Sequence, residues 1–177
     1  MLTTCFRLLE WDAMKKAHLI AAAVLLAVPS VTVAQERTVN PSCKLEAEAN
    51  CNWGNLKGAK ARGMDLRDSA YLSAIMDDGD FQGVNFEQSF MQLTSMKNAN
   101  FKNANFKGSH MHAIKAQGAN FENANFEGVN LTSANFEGAN LKGAKFDSKV
   151  LWLNAKLDGA TWVDGRVCQP GSKAECK

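Results

Sequence analysis

Tyrosine occurs once in this 177-residue chain, proline three times and histidine three times. So little histidine leaves few candidates for a His-based or metal-based active site. Charge of one sign is also lacking. The formal net charge is +2, so no bulk field selects nucleic acid or an anionic surface. No apolar run reaches the roughly 20 residues that a membrane span needs. Hydrophobic residues still make up 46%, which excludes a chain disordered by composition. Two residue types are abundant instead: sixteen Asn and ten Phe.

The N-terminal stretch has the layout of an export signal. Met14-Lys15-Lys16 is positive, Ala17 to Val28 is apolar apart from one His, and Thr32-Val33-Ala34 ends in small residues. This order describes a secretory signal peptide over residues 1–34. Glu10 and Asp12 place acid where that signal should be positive, so translation is expected to start at Met14. Cleavage after Ala34 leaves 143 of the 177 residues, with 17 basic and 16 acidic groups. The expected location is periplasmic or secreted, by bacterial export.

Cysteine usage agrees with that compartment. Cys5 falls in the removed segment, and Cys43, Cys51, Cys168 and Cys176 remain as two C-x7-C pairs. An even count in an exported chain reads as disulfides. Three pairings are open; Cys43–Cys51 and Cys168–Cys176 are favoured because each closes a short local loop. Each such loop contributes about 2.5 kcal/mol by loop entropy. A four-Cys zinc site is the rival, but the spacing is loose for zinc.

A five-residue period fills the middle of the chain. Steps of five from Leu56 to Phe146 meet nineteen positions, all apolar or aromatic. Eight of the nine Phe beyond residue 34 lie on this track, and Phe90 does not. The residue two before the centre is small in most repeats, the one just before is often Asn, and the one two after is often Gly, as in Ala134-Asn135-Phe136-Glu137-Gly138. A helix advances 100° per residue, so a period of five scatters the Phe around it. A straight strand puts alternate Phe on opposite faces. A short extended piece followed by a corner every five residues satisfies the pattern, with Gly or Asn at the corner.

These units resemble the pentapeptide repeat family, matched here over about residues 49–165. The resemblance implies an all-β fold: a right-handed quadrilateral parallel β-helix with four pentapeptides per coil. About five and a half coils at ~4.8 Å spacing give a rod roughly 25 Å long. The solenoid ends need caps. Residues 35–48 and 166–177 are expected to form small disulfide-tied ones. The register breaks once, between Phe146 and Leu157. Lys149 would otherwise fill an inward slot, which is costly for a charge. Lys149 is favoured as the inserted residue, with Trp152 as a centre; the alternative keeps Leu151 as centre and turns Trp152 outward.

With twenty-residue coils, positions twenty apart stack. Arg62, Gln82, Lys102, Glu122 and Lys142 form one outward column, and Arg67, Glu87, Lys107, Glu127 and Asp147 another. Signs mostly alternate, and the Asn columns 100-120-140 and 85-105-125 read as hydrogen-bonding ladders. The fourth face differs. Ala70, Leu72, Phe90, Leu93, His110 and His112 point outward there, with apolar groups near 150–153 and no acid or base before Lys149. Leu72, Phe90, Leu93, His110, His112 and Trp152 are therefore the candidate partner-binding residues, whether the partner is another protein, this chain itself, or the chain's own termini folding over the strip.

Other motifs carry less. His110 and His112 share one extended piece, but their neighbours Phe90, Gln92, Asn130 and Thr132 offer no good third ligand, so no metal is expected. Asp77-Asp78-Gly79-Asp80 lacks the oxygen set of a calcium loop. Asn130-Leu131-Thr132 matches a glycosylation sequon, discounted beside a bacterial signal. No nucleophile–base–acid set, phosphate loop or catalytic carboxylate pair is present. No enzyme activity, no cofactor and no catalytic residue are expected. Some members of the resembled family bind DNA gyrase as acidic mimics of duplex DNA. The near-neutral charge and the signal peptide oppose that role and any nucleic-acid partner. An exported scaffold with one contact face, or an envelope structural protein without a discrete partner, remains.

Overall fold

The computed structural model describes residues 43–177. The expected signal segment with Met14, and most of the expected 35–48 cap, lie outside the described residues. Parallel bridges join Asn50 to Ala70, Asn55 to Ile75, Lys60 to Asp80 and Asp65 to Asn85, and recur at the same spacing to Asn125 and Lys145. Twenty residues thus make one four-sided coil. No continuous strand forms among the described residues; each side of a coil contributes one bridging residue. Two of every five residues turn the corner, so the β character resides in these single parallel bridges.

The repeat is explained by the fate of its five N–H groups, each of which must find an acceptor. In the unit Ala119–Asn123, the Ala119 N–H closes the preceding corner on the Ala116 carbonyl. Asn120 donates back to Ala99, while Phe121 and Asn123 donate forward to Asn140 and Lys142. Only the Glu122 N–H is left, and the Asn120 Oδ1 takes it at 3.1 Å. All ten Asn just before a centre make this bond. Their Nδ2 groups are then free to donate to the coil before: Asn120 to Asn100, Asn140 to Asn120, Asn105 to Asn85 and Asn85 to Asp65. One side chain closes the local turn and links two coils, which a hydroxyl or carboxylate alone does less well.

The second of the two corner residues is left-handed in the regular coils, as with Asn123 at φ 58° and Gly143 at φ 69°. Gly143 lies directly above Asn123, and a Cβ there would clash with its Oδ1. Inside, the centres stack in columns. Phe81, Phe101 and Phe121 form one, with ring centroids 5.1 and 5.2 Å apart and nearly parallel planes. Phe86, Phe106, Phe126 and Phe146 form the next. Edge-on contacts such as Phe101–Phe106 at 5.6 Å tie the two columns together.

From Asn130 onward the bridges span twenty-one residues: Asn130 to Leu151, Asn135 to Lys156, Asn140 to Thr161. Val150 fills the inward slot and Lys149 is exposed. The extra residue sits in the corner Asp147–Lys149. There the Gly128 N–H, which elsewhere would meet a backbone carbonyl, bonds the Asp147 Oδ1 at 2.9 Å. That N–H, and then the N–H of Lys149, hold the Asp147 carboxyl below its ordinary value. Trp152 becomes a centre, packed on Phe146 at 4.8 Å and on Phe136 and Trp162. It is therefore not an outward residue of the fourth face.

Both ends are closed by bonded loops. The disulfides are Cys43–Cys51 and Cys168–Cys176. Cys51 occupies the first centre, so its bridge draws residue 43 against the core. At the other end the tail turns back antiparallel, with bridges Thr161–Val167 and Lys156–Lys173. Leu157, Gly159 and Trp162 donate to it instead of to a further coil. The last coil thus has no bare edge. Of the sign-alternating columns, Lys102–Glu122 forms a rung at 3.0 Å. Arg67 instead pairs with Asp65 of its own unit at 2.6 Å.

Tyr71 is a fully buried centre whose hydroxyl has no hydrogen-bond partner. Burial pushes it up to about 12. The neighbouring Ser69 hydroxyl, which donates to backbone carbonyls rather than to the phenol, offsets only a smaller part of that rise.

Three outcomes follow for stability in urea. Asn105→Ala, which loses both the turn bond and the rung to Asn85, is expected to cost about 1–2 kcal/mol. Tyr71→Phe removes an unpartnered polar atom and is expected to leave stability unchanged or raise it by up to about 1 kcal/mol. Asp147, with its lowered pKa, stabilises the fold fully above about pH 4 and loses that contribution as pH falls through the lowered value. Asp147→Asn keeps an acceptor, so its stability is expected to decline less steeply below about pH 4 than that of the parent protein.

Candidate interaction face

The fourth side of the coil carries three outward columns. Just before the centres stand Asn50, Ala70, Phe90, His110, Asn130 and Leu151. Just after them stand Asn52, Leu72, Gln92, His112, Thr132 and Leu153. The left-handed corner column holds Trp53, Ser73, Leu93, Ala113, Ser133 and Asn154, all at positive φ. Seven large hydrophobics are exposed among the described residues. Five of them are here: Trp53, Phe90, Leu93, Leu151 and Leu153. Ile75 opens the adjacent side, and Val167 lies in the cap.

This side abandons the asparagine rule through three successive coils, where Ala70, Phe90 and His110 hold its place. The Leu72 N–H borrows Asn52 from the coil before, at 2.7 Å. Among the described residues, no side-chain oxygen takes the N–H of Gln92 or His112. Phe90 and His110 instead stack face to face at 5.1 Å, with planes 1° apart. The corner residues also forgo their usual type. Trp53 and Leu93 adopt φ 57° and 61°, where a side chain costs roughly 1–2 kcal/mol relative to the right-handed form. Two large apolar groups thus occupy strained, exposed positions on one side, a pattern that structural need does not explain.

Of the expected contact residues, Phe90, Leu93, His110 and His112 are exposed on this side, and Leu72 is half-buried beside them. Trp152 is turned inward, and Leu151 and Leu153 take its place outside. Trp53 was not expected. Its signal was its place forty residues before Leu93, in the same corner column. A shallow groove of about 420 Å³ borders the face, lined by Leu93, Ile75, Asp77, Ser95 and Lys115. Asp77 is occupied there by the Ser95 hydroxyl at 2.6 Å and the Lys97 N–H at 2.9 Å. Asp78 pairs with Lys57 at 3.6 Å, and Asp80 with Arg62. The acidic run is thereby spent on rungs between coils. Among the described residues no group of three or more His, Cys, Asp or Glu is placed to hold a metal.

A family model for pentapeptide repeats matches eight copies, over residues 74–112 and 114–147. A pentapeptide repeat protein (Rfr23) from the cyanobacterium Cyanothece 51142 is 27% identical with a TM-score of 0.53, over 54% of this chain and 65% of its own. HetL, a pentapeptide repeat protein involved in heterocyst differentiation regulation from Nostoc sp. strain PCC 7120, is 19% identical with a TM-score of 0.31, over 68% and 66%. QnrB1, a plasmid-mediated fluoroquinolone resistance protein, is 19% identical with a TM-score of 0.30, over 59% and 63%. The chain spans just under two thirds of the length of each of these. No curated protein sequence matches it. The bridges at twenty-residue spacing, the centre track and the eight matched copies agree: residues 74–112 and 114–147 are pentapeptide repeats, and their fold is similar to the right-handed quadrilateral β-helix of the pentapeptide repeat proteins.

Proposed function

We propose that the chain is a non-enzymatic exported scaffold: a rigid four-sided rod that offers one apolar side to another protein. The observation that supports the reading most is the gathering of Trp53, Phe90, Leu93, Leu151 and Leu153 on that side. Exposed apolar groups gathered on one side of a folded domain are characteristic of contact sites. Phe, Met and Leu fill the interior, and the face carries no nucleophile set beside a base. Its work is therefore recognition.

Export is supported by the signal-like segment before Gln35 and by the two disulfides, which persist in oxidising compartments. The alternative of a topoisomerase-binding DNA mimic needs a dense acidic surface. This chain has net charge +2, with Lys97, Lys102, Lys107 and Lys115 in its middle coils.

Cross-linking in an envelope extract, followed by mass-spectrometric identification, tests the reading. One discrete set of adducts is expected with the parent protein and a loss of at least about 10-fold with Phe90→Asp combined with Leu93→Asp. Both residues are exposed, so the fold is expected to survive. Equal cross-linking by the double variant, or adducts formed only through the other three sides, would overturn the reading.

A further inference from the structure

We infer that the occupant of this face is a second copy of the chain, docked antiparallel across a two-fold axis that lies between the His110 row and the Asn130 row. The inference rests on the face being a protein-contact surface and names the partner. An isologous interface must be self-complementary: residue i meets j of the other copy, and j meets i. Placing the axis there pairs the His110 row with the Asn130 row and the Phe90 row with the Leu151 row.

The pairing matches chemistry to chemistry. Phe90 faces Leu151 of the second copy in the same column, with the exposed Leu93 and Leu153 flanking that contact. His110 and His112 meet Asn130 and Thr132 of the second copy, which supply acceptors to imidazole N–H groups. The unpaired N–H of His112 lies in the same row.

The rims agree as well. An antiparallel two-fold sets each rim against the same rim of the other copy. Lys107 then faces Glu127 of the second copy, and Glu127 faces Lys107 of the second copy. On the opposite rim, Lys97 faces Asp158 of the second copy. Lys107, Lys115 and Glu127 form no ion pair among the described residues. Their charges are therefore available to a partner. The parallel alternative fails on the rims. It sets Lys107 against the Lys115 rim of the same row, and Glu127 against Glu137.

The contact covers about four coils, roughly 20 Å of rod. A strip of that length and one coil side wide buries less than the standard interface of about 1,600 Å², so a dimer in the micromolar range is expected.

Analytical ultracentrifugation of the disulfide-bonded protein tests this. A concentration-dependent dimer is expected. Lys107→Glu alone and Glu127→Lys alone are each expected to weaken it about 10-fold, since each sets like charges against one another twice. An equimolar mixture of these two variants restores attraction at both contacts, so it is expected to dimerise as the parent does. A structural defect in either variant would not be rescued by mixing. A monomer at every concentration up to ~1 mM, or single variants that dimerise normally, overturns the second copy as occupant. In that case, envelope adducts still lost on Phe90→Asp leave the contact face itself standing. A dimer indifferent to Phe90→Asp and to both charge variants overturns the inference and shows that this face is not the self-contact.

Discussion

Five backbone N–H groups per unit, and no regular strand to absorb them, constrain everything else in this molecule. Two donate forward, one donates back, one closes the corner, and the fifth has only a side chain to meet it. Asn just before the centre is the residue that meets it while still keeping a donor for the neighbouring coil. The abundance of Asn in the composition is that requirement repeated around the rod. The abundance of Phe is its counterpart inside, where stacked rings about 5 Å apart match the coil spacing set by the bridges.

The same constraint governs the exceptions. At the bulge the Asp147 carboxylate substitutes for a displaced carbonyl, so an inserted residue is accommodated without an orphaned N–H at Gly128. At the C-terminal end the antiparallel tail supplies the acceptors that a further coil would have supplied. The rule lapses at Asp77 and Gln117 on the adjoining side, and at Gln92 and His112 on the fourth side. There the chain presents stacked Phe90 and His110 and corner residues Trp53 and Leu93 in place of Asn and Gly. A loss of local satisfaction combined with exposed apolar area is consistent with completion by a partner.

Much of this was readable in the sequence because the period is short and repeated. The centre track fixed which residues are inside, and the spacing of the cysteines suggested the pairings that are found. Four-sidedness was not readable from periodicity; it came with the family resemblance, and the twenty-residue bridges carry it here. The absence of strands was missed, because alternation within a five-residue unit looks strand-like although two of its residues are corner. Trp152 was ambiguous because Leu151 and Trp152 are both apolar neighbours at a register break. Only the exposed Lys149 separated the two readings. Trp53 was missed because a corner slot usually filled by Gly or Asn gives no reason to expect a large ring.

Residue-resolved amide hydrogen exchange, measured on the dilute protein, tests most directly whether the Asn side chain completes the repeat and whether the fourth side has given it up. The N–H groups of Lys102, Glu122 and Lys142, each held by an Asn Oδ1, are predicted to exchange slowly. Those of Gln92 and His112, in the same position of the repeat but without that acceptor, are predicted to exchange near the rate of open peptide. Equal protection across all five would contradict the claim, because some other feature of the coil would then be satisfying the fifth N–H.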